Sequence, residues 1–243
     1  KKLVALNEKK NELIGVVAHD LRSPINQVKG LANIMLLSDQ NLSKENLVYL
    51  EQMIASCDRL TTMIRRILDV NAIESNKINI SLEPVNLKEL LLQIATNFKV
   101  VADEKSIQIH QNYAADDSFA SVDYNYLVQV LENIVSNAIK FSDNNKNIQL
   151  SLSNTSADVI IAVKDEGPGL SEEDQKKWFG VFEQLSARPT GGEDSTGLGL
   201  SIAKKYIEAM EGQIKCESKL GEGSTFSIIF KRITPSRSEL QTS

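Results

Sequence analysis

Leu131-Glu132-Asn133-Ile134-Val135-Ser136-Asn137-Ala138-Ile139-Lys140-Phe141 carries two helical stripes at once. Leu131, Ile134, Val135, Ala138 and Ile139 recur at helical spacing and form an apolar face. Asn133, Asn137 and Lys140 fall at i, i+4 and i+7 and share a polar face beside it. Amide oxygens can ligate Mg2+, and an ammonium can neutralise phosphate oxygens. A solvated surface stripe is the plainer reading. What surrounds this helix, placed by its pattern at 123–142, decides between them.

Three glycine clusters follow it. Asp165-Glu166-Gly167-Pro168-Gly169 comes directly after an apolar strand pattern, and Ser195-Thr196-Gly197-Leu198-Gly199-Leu200 directly before a helical one. Gly221-Glu222-Gly223-Ser224-Thr225 lies between two strand patterns. Glycines let backbone approach a ligand closely, and a helix N-terminus attracts phosphate. Each cluster alone reads as an ordinary turn; with the polar face of 123–142 they point to a nucleotide site. No Walker-type lysine motif is present, which excludes a P-loop NTPase, and the catalytic-loop signature of serine/threonine kinases is also absent.

Around these motifs the periods alternate. Helical patterns cover 86–104, 123–142 and 198–210; strand patterns cover 107–111, 148–153, 159–164, 213–217 and 225–230. This is a mixed α/β sandwich over residues 84–232, a size that buries roughly 68–70% of its unfolded-chain surface. Residues 77–83 read as a hinge with a short strand at 78–82, and 233–243 as a flexible polar tail.

Residues 1–76 are different. One helix is expected over 1–38, with a seam of Leu6, Leu13, Val17, Leu21, Val28, Leu31 and Met35. Ser43-Lys44-Glu45-Asn46 is close to a capping signature for a second helix. Its seam (Leu47, Leu50, Ile54, Cys57, Thr61, Ile64, Leu68) alternates steps of three and four, a heptad pattern. A short link makes the two an antiparallel hairpin. Two helices cannot bury both seams on each other, so a homodimer with a four-helix bundle is expected.

Inside the first helix lies Ala18-His19-Asp20-Leu21-Arg22-Ser23-Pro24. His19 is two residues from both Val17 and Leu21, roughly 200° around the helix from each, so it is expected to face solvent. A surface histidine beside a surface aspartate is the bland reading. Pro24 argues against it, because a proline inside a helix removes a hydrogen bond and costs ~3 kcal/mol or more. A helix that keeps that cost beside an exposed imidazole suggests a bend with a purpose and makes His19 a candidate nucleophile.

The bulk properties restrict the partners. The chain has 243 residues, a net charge of −5 and two histidines; a pI near 5.3 suggests neither nucleic acid nor an anionic membrane. No run approaches the ~20 apolar residues that span a bilayer, and no secretory signal opens the chain. The chain opens in mid-pattern, as if continuing a helix from upstream. Cys57 and Cys216 are lone cysteines without metal-ligand spacing, so a reduced cytoplasmic setting is expected.

Over residues 10–232 the chain resembles the dimerisation and catalytic core of a bacterial sensor histidine kinase of two-component signalling. The resemblance rests on the box from His19 to Pro24, the N box from Asn133 to Lys140, the three glycine boxes and a candidate F box, Trp178-Phe179-Gly180-Val181-Phe182-Glu183. It implies a Bergerat-type (GHKL) ATP-binding fold, with ATP and Mg2+ as cofactors. Asn137 would ligate Mg2+ with Asn133 assisting, Lys140 would contact phosphate, and Phe141 would flank the adenine. Asp165 would accept the adenine amino proton, with Gly167 and Gly169 shaping the base pocket. Thr196, Gly197, Leu198, Gly199 and Leu200 would wrap the phosphates, and 171–196 would form a lid. Phe182 and Thr225 complete the nucleotide-binding set. A carboxylate acceptor suits an amino group and leaves guanine's carbonyl unpaired, a mismatch worth ~1–3 kcal/mol.

By the same resemblance His19 attacks the γ-phosphate, Asp20 holds the other ring nitrogen, and the phosphoryl group passes to an aspartate of a response regulator receiver domain. A neutral imidazole is the nucleophilic form, and an unperturbed one (pKa about 6.5) is mostly neutral at pH 7. A lid hinge at Pro84 and a bend at Pro24 would let the ATP domain swing onto His19. Related ATPases carry a water-activating glutamate where this chain has Asn133, which favours transfer over hydrolysis. Asp20 stands where glutamate is commoner. Ser23 replaces a threonine or asparagine that orients water for regulator dephosphorylation, and its hydroxyl leaves that phosphatase activity open. A degenerate nucleotide-binding scaffold and a free-standing ATPase of the same fold are the alternatives. His110, in a strand pattern without a nearby acid, reads as structural.

Overall fold

Two long helices, α1 (Lys2–Ser38) and α2 (Lys44–Glu74), make the first of two compact units, Lys1–Ile78. The computed structural model describes residues 2–38, 42–74, 79–113, 118–177, 189–190 and 199–235. Ser43 caps α2 as expected: its Oγ accepts the Asn46 N–H at 3.2 Å and its carbonyl accepts that of Leu47 at 3.0 Å. Ala18 and Ala32 of α1 are buried, as are Leu50, Cys57 and Ile64 of α2, spaced at sevens. The Lys29 ammonium reaches Asp58 across the hairpin at 2.6 Å.

The α1 seam behaves otherwise. Leu13, Val17, Leu21, Val28, Leu31 and Met35 are exposed, from 42% at Val28 to 63% at Leu31. The alanine side of α1 carries the hairpin contact, so the heptad stripe is left uncovered within one chain. Pro24 lies inside α1, which runs through it.

The second unit, Asn79–Ser243, is the α/β sandwich expected from the alternating periods. Its elements run β1 (Glu83–Asn86), α3 (Leu87–Glu104), β2 (Gln108–Tyr113), β3 (Phe119–Val122), α4 (Tyr124–Phe141), β4 (Asn147–Asn154), β5 (Asp158–Asp165), α5 (Glu172–Lys177), α6 (Gly199–Ala209), β6 (Gln213–Lys219) and β7 (Gly223–Ile233). The strand order is β1-β3-β7-β5-β4-β2, with β6 also on β7. All these pairs are antiparallel except β2 with β4. Burial alternates along β4, β5 and β7, which puts Ile148, Leu150, Leu152, Val159, Ile161, Val163, Phe226, Ile228 and Phe230 in the core. Leu87, Leu90, Leu91 and Ile94 of α3 and the buried face of α4 complete it. Each buried large aliphatic side chain contributes ~1.5–3 kcal/mol, so this layer dominates the unit's stability.

One expectation is corrected. Residues 79–82 form no strand; the strand starts at Glu83, and Pro84 pairs with Ser121 of β3. Proline lacks an N–H and fits an edge strand, which β1 is. Among the described residues, no helix is long and apolar enough to cross a membrane.

Candidate functional site

The site grows from α4. Asp123 caps it: Oδ1 accepts the Tyr126 N–H at 3.2 Å and Oδ2 the Ser81 N–H at 2.9 Å. Leu127, Val130, Leu131, Ile134, Val135, Ala138 and Ile139 bury one face. Asn133, Asn137 and Lys140 are therefore held half-buried on the adjoining stripe. A Cβ at Gly199, the first residue of α6, would collide with the Asn133 side chain, so α6 starts directly against that amide. The Asn133 Nδ2 is buried without a hydrogen-bond partner among the described residues.

Asp165 ends β5 and is only 6% exposed. Its Oδ1 accepts two backbone N–H groups, from Gly167 at 2.9 Å and Ser224 at 3.1 Å. Oδ2 receives no donor from the described residues, so one carboxylate oxygen is anchored and the other is not. Burial pushes this carboxyl above its ordinary pKa of 3.8, although both N–H bonds pull the other way. Next to it, Glu166 accepts the Asn147 N–H at 3.0 Å and its Nδ2–H at 3.2 Å, tying the end of β5 to the start of β4. The Asn147 backbone bond, with lesser help from its side chain and from Lys146 and Lys164, holds Glu166 below its ordinary value.

The glycines answer to this backbone. Gly223 has φ +93°, and a Cβ there would strike the carbonyl of Asp165; Gly169 has φ +67° and lies equally close to the carbonyl of Lys219. A Cβ at Gly167 would lie 3.0 Å from Asp165 Oδ1 and 3.1 Å from the Phe141 carbonyl. Gly223→Ala combines a forbidden contact with a left-handed φ and is expected to destabilise the second unit by ~3 kcal/mol. A thermal midpoint lowered by ~6–12 °C, read by circular dichroism, is the expected result; an unchanged midpoint would contradict the contact.

Ser218 and Gln175, which sequence patterns did not single out, brace the same turns together with Ser224. Ser218 Oγ accepts the Leu170 N–H at 2.8 Å and lies 3.0 Å from the Gly223 carbonyl and 2.9 Å from Ser224 Oγ. Gln175 Nε2 donates to the carbonyls of Leu170 and Ser218. The strand register that sets Ser218 opposite Ser224 brings those two hydroxyls together.

Of the expected site residues, Asn133, Asn137, Lys140, Phe141, Asp165, Gly167, Gly169, Gly199, Leu200 and Thr225 all belong to the second unit. Thr225 is half-buried in β7, opposite Lys164 and Glu217. Phe182 with the segment 178–183, and Thr196, Gly197 and Leu198, lie outside the described residues. In the first unit His19 is on α1, but its side chain, and so its predicted exposure, lies outside the described ones; Asp20 and Ser23 are exposed. His110 is exposed on β2, its Nε2 3.0 Å from Asn147 Oδ1.

Among the described residues no cluster of three His, Cys, Asp or Glu could hold a metal alone. The donor set instead fits a divalent ion carried on phosphates: amide oxygens on α4, an ammonium, and an orphaned amide N–H beside the start of α6. The open Oδ2 of Asp165 fits a base amino group.

Two family comparisons cover most of the chain. Residues 9–76 match the His Kinase A (phospho-acceptor) domain, and residues 122–234 match the histidine kinase-, DNA gyrase B- and HSP90-like ATPase family. The chain belongs to the sensor histidine kinases. Histidine kinases of two-component systems phosphorylate a histidine with ATP and pass the group to an aspartate. This kinase core is 35% identical over 231 residues to the sensor protein GacS of Pseudomonas syringae pv. syringae, covering 91% of the chain and 25% of that protein. It is 30% identical to the signal transduction histidine-protein kinase BarA of Escherichia coli K12 over 224 residues, 89% of the chain and 24% of that protein. The structure of full-length ShkA in complex with AMPPNP superposes with a TM-score of 0.79 at 27% identity, over 93% of the chain and 47% of ShkA. The chain thus spans about a quarter of the length of the curated relatives it matches.

Proposed function

We propose that His19 takes the γ-phosphoryl group of ATP bound by the second unit and passes it to an aspartate of a response regulator receiver domain. The observation that carries the nucleotide half is Asp165, buried, with one oxygen anchored and the other unclaimed. An adenine amino group supplies the missing donor.

The imidazole Nε2 lone pair forms the N–P bond as the bond from phosphorus to the ADP oxygen breaks, and ADP leaves with that electron pair. Asp20 receives the N–H of the other ring nitrogen and offsets the positive charge that develops on the ring. Asn137 would hold Mg2+ through its amide oxygen, and the ion would supply charge neutralisation for the transferring phosphoryl group. Asn133 contributes its unpartnered N–H to a phosphate or water oxygen, and Lys140 adds an ammonium. Gly199 and Leu200, with Thr196, Gly197 and Leu198 before them, present backbone to the phosphates. Phe141, Phe182, Gly167, Gly169 and Thr225 line the remainder of the nucleotide site. Transfer leaves His19 free, and the Ser23 hydroxyl, one turn further on, suits orienting a water against the phosphorylated regulator. An ATP-dependent core with two unpaired cysteines suits the cytoplasm.

Incubation with γ-labelled ATP and Mg2+ tests this. The expected product is a label that is lost in acid, is stable in alkali and maps to His19. Steady phosphate release without any phosphohistidine would favour the ATPase reading, and nucleotide binding without either would favour the scaffold.

The uncovered stripe of α1 is assigned to a second copy of the chain, giving a four-helix bundle. Sedimentation equilibrium is expected to give twice the chain mass, and Leu31→Asp to shift the protein toward monomer by at least ~10-fold in dissociation constant, the cost of one charge in an apolar seam. A monomeric wild type at micromolar concentration would exclude the bundle.

A further inference from the structure

The C-terminus of α4 holds a cluster that no expected role accounts for. A helix leaves its last four carbonyls without intrahelical donors. In α4 the Ala138 carbonyl is met by the Ser142 N–H at 3.2 Å. The next two are met from far along the chain. Lys105, just beyond the end of α3, sends its ammonium to the carbonyls of Ile139 at 3.1 Å and Lys140 at 3.3 Å. The same ammonium donates to Thr190 Oγ1 at 2.8 Å. Thr190 in turn gives its backbone N–H to the Lys140 carbonyl at 2.9 Å, and its hydroxyl proton lies within reach of the carbonyls of Lys140 (3.1 Å) and Ser142 (3.0 Å).

The Lys140 carbonyl is thus the meeting point of three donors from two distant segments. A cation at a helix C-terminus is favoured by the helix dipole as well as by these bonds. Lys105 is itself held, because its backbone carbonyl accepts the Asn145 N–H at 3.1 Å. The turn being clamped is the one that carries Lys140 and Phe141, and Phe141 is the residue whose carbonyl lies against Gly167. Movement here would shift both the ammonium proposed for phosphate and the wall beside Asp165.

We propose that Lys105 and Thr190 are positioning residues for nucleotide binding, a latch that fastens residue 190 to the C-terminus of α4 and holds Lys140 and Phe141 in place. The proposal rests on the nucleotide-site reading above. Neither residue touches the nucleotide; both act through the last turn of α4. Because they share one hydrogen-bonded cluster, their effects are coupled.

The test uses the whole chain with Mg·ATP, comparing Lys105→Met, Lys105→Arg, Thr190→Val, Thr190→Ser and the double variant Lys105→Met/Thr190→Val. Titration calorimetry gives Kd, and labelling kinetics separate KM from kcat. Lys105→Met and Thr190→Val are each expected to raise Kd and KM for ATP by ~10-fold, the scale of a lost charge-assisted bond, with kcat within about twofold. The double variant is expected to be no more than ~10–20-fold weaker than wild type, against ~100-fold for independent sites. Lys105→Arg and Thr190→Ser are expected to restore Kd to within about threefold. Thr190 is exposed, so Thr190→Val carries the test should Lys105→Met fail to fold. Wild-type affinity in Thr190→Val, fully multiplicative effects, or failed rescue in a folded Lys105→Arg overturns the latch. A wild type that binds no Mg·ATP overturns the nucleotide reading and the latch with it, whereas tight wild-type binding with indifferent variants overturns the latch alone.

Discussion

Replacing His19 with glutamine is expected to lower the acid-labile label ~1,000-fold or more while leaving Mg·ATP affinity within about twofold of wild type. Glutamine keeps polar atoms near the imidazole positions, but its amide nitrogen has no available lone pair and cannot displace ADP. The nucleotide contacts proposed above all belong to the second unit, so removing the acceptor is expected to leave binding intact. The chain has one other histidine, His110, engaged with Asn147 on β2. Phosphohistidine persisting in His19→Gln would therefore have to reside on His110 and would overturn the assignment. Retained label with equal acid lability is the decisive contrary result; lost label together with lost nucleotide binding would point to misfolding, which circular dichroism of the variant separates.

The elements that proved legible are those with a single strong period. The α4 pattern from Leu131 to Ile139 specifies its buried face, and the structure buries each of those residues. The same holds for β4, whose alternation matches its burial, whereas the continuous apolar run of β5 reads as a strand without showing which face is buried. Short edge elements were not legible. β1 is four residues long, contains Pro84, and carries no alternation; its strand identity comes from pairing with β3, a non-local fact. In α1 the heptad stripe is real, but periodicity says only that a face is apolar, not which surface covers it. The two alanines that make the hairpin contact have no seam signature. At the site, the resemblance named Asp165, Gly167 and Gly169, and the structure sets the three around one turn. The reason for two of the glycines was legible only in three dimensions. Gly223 and Gly169 are glycines because carbonyls of Asp165 and Lys219 lie against them, so they shape the site by letting its own walls close. Lys105 and Thr190 are 85 positions apart and meet only because α3 and α4 end side by side.

Asp165→Asn is expected to separate binding from stability. The amide is nearly isosteric with the carboxylate. With its oxygen at the Oδ1 position it still accepts from Gly167 and Ser224, and that choice puts the NH2 group where Oδ2 stood. An adenine amino group then meets a donor instead of an acceptor, and a charge-assisted bond is lost as well. Mg·ATP affinity is expected to fall ~100-fold, or ~2.7 kcal/mol, and the preference for ATP over GTP to narrow, because guanine's carbonyl accepts from the new NH2. Stability moves the other way. Burial raises the carboxyl pKa above 3.8 in the folded state, so the ionised group costs the fold stability at neutral pH. That cost is absent below the unfolded value and sets in as pH rises through the interval up to the raised one. A neutral amide removes it, so the nucleotide-free variant is expected to melt no lower than wild type at pH 7, with any difference due to the charge vanishing below about pH 3.8. The same shift makes wild-type ATP affinity weaken on acidification at a higher pH than an exposed carboxylate would set, and the variant should lack that step. Calorimetric titrations from pH 8 downward, with parallel melting curves, check both halves. Undiminished ATP affinity in a folded Asp165→Asn would remove Asp165 from the base site, and a large drop in its melting midpoint would mean that the carboxylate holds the fold as well as the nucleotide.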